Sequence, residues 1–87
     1  MLNEFENYLI KQGYSVSTPS GKPSTVYDYI KRIETICERE NISINTLSNN
    51  IDNYVEKYGP LGNEAEFGKK SHNSYISALK KFKDFLS

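Results

Sequence analysis

Residues 25–40 read TVYDYIKRIETICERE. At about 100° per residue, Val26, Tyr29, Ile30, Ile33, Ile36 and Cys37 fall within one arc, and Lys31, Arg32, Thr35 and Arg39 fall on the other side. The spacing predicts an amphipathic helix over 25–40 with one side buried. Ser24 is a suitable N-cap, and Pro23 stops any helix arriving from upstream. Glu34 and Glu38 lie one turn apart and repel slightly.

Three further helices are read around this one. Residues 2–12 carry a Leu2, Phe5, Leu9 stripe joined by Tyr8, with Ile10 off the stripe and Gly13 suited to the position after the helix end. Residues 49–58 carry Ile51, Tyr54, Val55 and Tyr58, with Ser48 as cap and Gly59-Pro60 as stop. Residues 71–86, SHNSYISALKKFKDFL, carry Tyr75, Leu79, Phe82 and Leu86 behind a Ser71 cap. The connections are a loop at 13–23, a linker at 41–48 with room for a helical turn near Leu47, and a loop at 59–70. Tyr14 and Val16 are candidate anchors for the first loop, and Leu61 and Phe67 for the last. No strand shows clean alternation. The pattern predicts an all-α, compact four-helix bundle in which each helix buries one face.

At 87 residues the chain is long enough for one small domain. Seven Tyr and four Phe supply large buried areas per residue, and tyrosine can keep its hydroxyl wet. One cysteine, Cys37, excludes an intramolecular disulfide and a cysteine-rich zinc site, and one histidine, His72, argues against a histidine metal cluster. No apolar run approaches ~18 residues, and the acidic start MLNEFENYLIKQ is unlike a secretory signal. A cytoplasmic location is expected. Cys37 reads as a structural thiol on the apolar arc. Glu4/Glu6 and Glu64/Glu66 read as solvated acids, and the Gly59–Gly62 glycine pair as a turn with no strand before it. His72 reads either as a solvated first-turn residue or as a phosphate or catalytic contact. No catalytic set, metal or cofactor site is predicted.

The formal net charge is zero but unevenly spread. Residues 69–87 hold five lysines against Asp84, a net +4, and the remainder holds six bases and ten acids, a net −4. On a continuous helix, Lys69, Lys70, Asn73, Ser74, Ser77, Lys80, Lys81 and Asp84 share an arc of roughly 140°. Such an arc is either a solvated helix back, with its terminal lysines suited to the helix dipole, or a surface for phosphates and base edges.

Residues 24–37, STVYDYIKRIETIC, and 71–86 resemble the N-terminal core-binding domain of tyrosine recombinases (phage integrases). The resemblance rests on Ser24, Thr25 and Tyr29 in one helix, and on Tyr75, Ser77, Ala78, Leu79, Lys80, Lys81 and Phe82 in the last. It implies a four-helix bundle of the sterile-alpha-motif (SAM-like) type that clamps one side of double-stranded DNA while a separate catalytic domain holds the other. The implied DNA contacts are Thr25, Asn73, Ser77, Lys80 and Lys81, with Lys31 and Arg32 as weaker candidates; the charge pattern adds Lys70. Implied partners are duplex DNA, the catalytic domain of a longer parent chain and neighbouring recombinase protomers, in a bacterial or phage-derived setting. The chain ends at Ser87, where that family's linker would start. It has only Arg32 and Arg39 and lacks His-x-x-Arg, so strand exchange would fall to another domain. Neutral net charge, and Glu64 and Glu66 just ahead of the last helix, depart from the family pattern. The competing readings are a helical protein-interaction domain without direct DNA contact, and a standalone accessory protein with no DNA role.

Overall fold

The amphipathic run at 25–40 is helical over its full predicted span in the computed structural model, which describes residues 1–16 and 25–87. The expected Ser24 cap and Pro23 stop lie outside the described residues. The order is α1 (Leu2–Lys11), α2 (Thr25–Glu40), α3 (Ile44–Asn49), α4 (Ile51–Tyr58), α5 (Ala65–Gly68) and α6 (Lys70–Leu86). Among the described residues the architecture is all-helical, and six helices stand where four are expected, because the linker before α4 and the loop before α6 each hold a short one. The Cα radius of gyration is 12.6 Å. A compact domain of this length should measure roughly 12 Å.

Helix ends follow local chemistry. Gly13 takes φ +98° after α1. The Gly13 amide donates to the Ile10 carbonyl and the Tyr14 amide to Leu9, a Schellman motif. Asn41 plays the same part after α2 at φ 56°, with its amide on Glu38 and the Ile42 amide on Cys37. Ser43 caps α3 by accepting from the Thr46 amide. Ser48, the expected cap of the next helix, lies inside α3 instead, and Asn50 stands at the start of α4 without a side-chain cap bond.

The core joins Phe5 and Leu9 of α1, Val26, Ile33 and Ile36 of α2, Leu47 of α3, Ile51 and Tyr58 of α4, and Ile76, Ala78, Leu79 and Phe82 of α6. Fully burying a residue such as Leu79 or Phe82 contributes about 1.5–3 kcal/mol. Helix α6 is the hub, packed on α1, α2, α4 and α5. Its buried face is wider than the Tyr75–Leu86 stripe suggests. Tyr75 and Leu86 are half-buried, while Ile76 and Ala78 are buried, because neighbours cover both shoulders. Cys37 is also half-buried. Ile10 is exposed, as its position off the stripe implies. Tyr14 anchors its loop edge-on against Tyr29 at 5.4 Å, but Val16 is exposed.

The 59–70 segment is docked on the end of α4. The Glu64 amide donates to the Lys57 carbonyl at 2.9 Å. A Cβ on Gly62 would stand 2.1 Å from the Lys57 carbonyl oxygen, and one on Gly68 2.0 Å from that of Tyr58. Only glycine permits this approach. Phe67 supplies the anchor, against Tyr58 at 6.0 Å and Tyr75 at 4.4 Å between centroids. Leu61 does not, being 99% exposed.

One local feature overturns a sequence expectation. Ser71, His72 and Asn73 all have positive φ (54°, 61° and 65°), forming a left-handed turn inside α6. Ser71 is therefore not the helix cap. Left-handed conformation costs roughly 1–2 kcal/mol per non-glycine residue, less for Asn. The Asn73 amide donates to the Lys69 carbonyl across the turn, and Ser74 Oγ donates to the Lys70 carbonyl.

Candidate nucleic-acid interface

Helices α2 and α6 run antiparallel, as their contacts show in order. Lys81 lies beside Tyr14, which stacks on Tyr29. About one turn further along α2, Arg32 Nε donates to Ser74 Oγ at 2.8 Å with its guanidinium over Tyr75. Beyond that, Arg39 pairs with Glu64 and covers Phe67, 4.0 Å from the ring centre.

Between the first two contacts lies a cleft of about 340 Å³. Thr25, Asp28, Tyr29 and Arg32 line one wall; Ser71, His72, Ser74 and Ser77 line the other. The lining is rich in hydroxyls with one guanidinium, a donor set suited to phosphate oxygens. Asp28 is the opposing element, a carboxylate between Thr25 and Arg32. A phosphate entering here is favoured toward the Ser77–Lys81 end.

Of the eight predicted contacts, Thr25, Arg32 and Ser77 meet on this cleft. Lys81 flanks it, its ammonium 5.3 Å from the Tyr14 ring centre, and the Tyr14 side chain raises the pKa of that ammonium, which stays charged at neutral pH. Asn73 and Lys80 sit apart from it. Asn73 borders a hollow with Tyr58, Pro60 and Glu66, and Lys80 borders another with Val55, Pro60 and Leu61. Lys31 is exposed on the outer side of α2. Lys70 lies 5.0 Å from the Phe67 ring centre. The continuous polar arc read from sequence is thus divided, because the left-handed turn rotates everything before Ser74.

Ion pairing trims the basic end. Lys83 binds Asp52 at 2.8 Å and Lys69 binds Glu66 at 3.1 Å. Among the described residues Lys31, Lys70, Lys80 and Lys81 enter no ion pair. The two acids ahead of α6 are answered by Arg39 and Lys69, so neither stands as an uncompensated charge. A second network, Glu40 accepting from Lys57 Nζ at 2.8 Å and the Tyr58 hydroxyl at 2.6 Å, ties α2 to α4. Burial pushes the Tyr58 hydroxyl's pKa up, and the Glu40 carboxylate pushes it further.

Sequence reasoning missed Asp28, Ser71 and Tyr14 as parts of this surface. The signal for Asp28 was present, since Thr25, Asp28 and Arg32 are spaced i, i+3, i+7. Among the described residues no cluster of metal-binding side chains is found, and no helix is long and apolar enough to cross a membrane. No family model, no curated protein and no solved structure matches the chain.

Proposed function

We propose that the chain is a duplex-DNA-binding module of the SAM-like, tyrosine-recombinase core-binding kind, holding DNA for recombination or integration by a separate catalytic domain. The observation that carries this reading is the α2–α6 cleft, where Thr25, Arg32 and Ser77 meet beside the Lys81 ammonium. Lys31, Lys70, Lys80 and Lys81 supply charge toward phosphates, Thr25 bonds backbone oxygen, and Asn73 and Ser77 add limited base contacts. With about four phosphates neutralised and no net positive charge, the domain alone binds in the non-specific range, roughly 10⁻⁴–10⁻⁶ M at physiological salt. Tethering to a catalytic domain raises avidity without new contacts.

One observation favours a second reading as a protein-interaction domain. Leu61 is fully exposed beside Pro60 and Val55 on a docked, glycine-locked turn. Backbone amide shifts on adding a duplex of about two to three helical turns separate the two. The DNA reading expects low-salt shifts at Thr25–Arg32 and Ser74–Lys81. Shifts confined to α1 and α4 would refute the assigned face, and their absence at low salt would leave the interaction reading.

A further inference from the structure

The left-handed turn at Ser71–Asn73 has a mechanical consequence. Eight residues of right-handed helix span about 12 Å, yet Phe67 and Tyr75, eight residues apart, touch with ring centres 4.4 Å apart. The turn folds the chain back and makes that contact. Three cations then gather on the two rings: Arg39 at 4.0 Å and Lys70 at 5.0 Å on Phe67, and Arg32 at 5.3 Å on Tyr75. The ring pair with its cations is a latch. The strained turn, three consecutive non-glycine residues of which His72 and Asn73 tolerate positive φ better than Ser71, is the spring it holds.

We infer that residues 71–73 are a two-state hinge, and that duplex DNA selects the state in which α6 is a continuous right-handed helix from Lys70. This rests on the DNA-binding reading above. In the continuous state Lys70, Asn73, Ser77 and Lys81 share one helix face, as the sequence arc requires. Phe67 and Tyr75 separate, and Arg32 and Lys70 leave the rings for phosphates. The latched state seen here divides that face. Because the duplex makes more contacts with the continuous state, it shifts the population toward it, and the latched fraction lowers the apparent affinity. Phosphates also compete directly for the latch cations. The fold thus contains a self-restraining contact released by its own ligand.

Paired substitutions at the two exposed spring residues test this; both residues line the α2–α6 cleft, so the comparison is between two variants that each lack the Ser71 and His72 side chains and differ only in backbone preference. S71A/H72A disfavours the left-handed turn, whereas S71G/H72G removes its steric cost and weakens the right-handed alternative. The hinge equilibrium should differ between the pairs by at least about tenfold per residue. The readouts are the Phe67–Tyr75 ring NOE, the φ-sensitive HN–Hα couplings of residues 71–73, and duplex affinity. The alanine pair, and the native chain saturated with duplex, should lose the NOE and show helical couplings from Lys70. The glycine pair should keep the NOE and bind the duplex at least about tenfold more weakly than the alanine pair. If both pairs keep the same NOE and the same affinity, or if the native chain binds duplex with the ring contact unchanged, the hinge is overturned and the DNA-binding reading stands. If no form binds duplex at low salt, DNA as selector and the DNA-binding reading both fall, even where the alanine pair opens the turn.

Discussion

Gly68→Ala tests the packing that positions α6. The new Cβ would lie 2.0 Å from the Tyr58 carbonyl oxygen, 3.0 Å from its carbonyl carbon and 3.3 Å from its Cβ. The first neighbour is backbone at the end of a helix, so no side chain can swing aside. Ordinary contact requires the 62–68 segment to move by more than an ångström. That movement loosens the Glu64 amide bond to Lys57 and the Phe67 contact with Tyr58. Overpacking of this kind costs about 1–3 kcal/mol, and lost contacts extend it, while reduced unfolded-state freedom returns only about 0.4–1 kcal/mol. A net loss of about 2 kcal/mol lowers the Tm of a domain this size by about 8–16 °C. Gly13→Ala is the control. Its Cβ meets nothing within 4 Å, so only the strain of φ +98° remains, about 1–2 kcal/mol. Thermal unfolding followed by far-UV circular dichroism measures both. A Gly68→Ala variant within about 2 °C of the parent would refute the docked-loop account.

Two other predictions concern titrating groups. Burial pushes the Glu40 carboxyl up, but its bonds from Lys57 and Tyr58 and the nearby Arg39 charge outweigh this and hold its pKa below the ordinary glutamate value. A depressed carboxylate pKa adds stability that is complete above the unfolded value and lost as pH falls through the folded one. Urea midpoints should therefore drop on acidification below the usual glutamate range, and Glu40→Gln should flatten that drop and cost about 1–3 kcal/mol near neutrality; an unchanged acid limb contradicts the network. Burial raises the pKa of the Cys37 thiol, and Glu34 and Glu38 raise it further. Alkylation at neutral pH should accordingly be slower in the folded chain than in urea, and equal rates would refute the burial argument.

The parts of the fold legible in sequence are those set by local periodicity or backbone geometry. Helix α2 shows its buried Val26, Ile33 and Ile36 directly, and Gly13 announces its left-handed role after α1. Ser43 caps the short α3, of which the sequence shows only room for a turn near Leu47, and that helix absorbs Ser48, the expected cap of 49–58. Burial of Ile76 depends on neighbouring helices covering a second shoulder of α6, which no single-helix pattern encodes. The left-handed turn was illegible for a stronger reason. Ser71-His72-Asn73 looks like a cap followed by a first turn, and what reverses it is the distant packing of Phe67 on Tyr75. At the candidate site, Thr25, Arg32 and Ser77 were readable as surface residues, but their meeting depends on the antiparallel pairing of α2 and α6. Likewise the pairing of Lys83 with Asp52 depends on α4 packing beside α6.

The central claim is that the chain binds duplex DNA, with Thr25, Arg32, Ser77 and Lys81 at the α2–α6 cleft and Lys31, Lys70 and Lys80, which enter no ion pair among the described residues, adding charge around it. The most direct measurement is a titration of labelled duplex across a salt series, with native chain and Lys80→Glu/Lys81→Glu. About four unpaired lysines predict a log–log salt slope of about −3 to −4, falling toward about −2 in the variant, with affinity at least about tenfold weaker. No binding at low salt, or a slope and affinity that the double substitution leaves unchanged, would contradict the account.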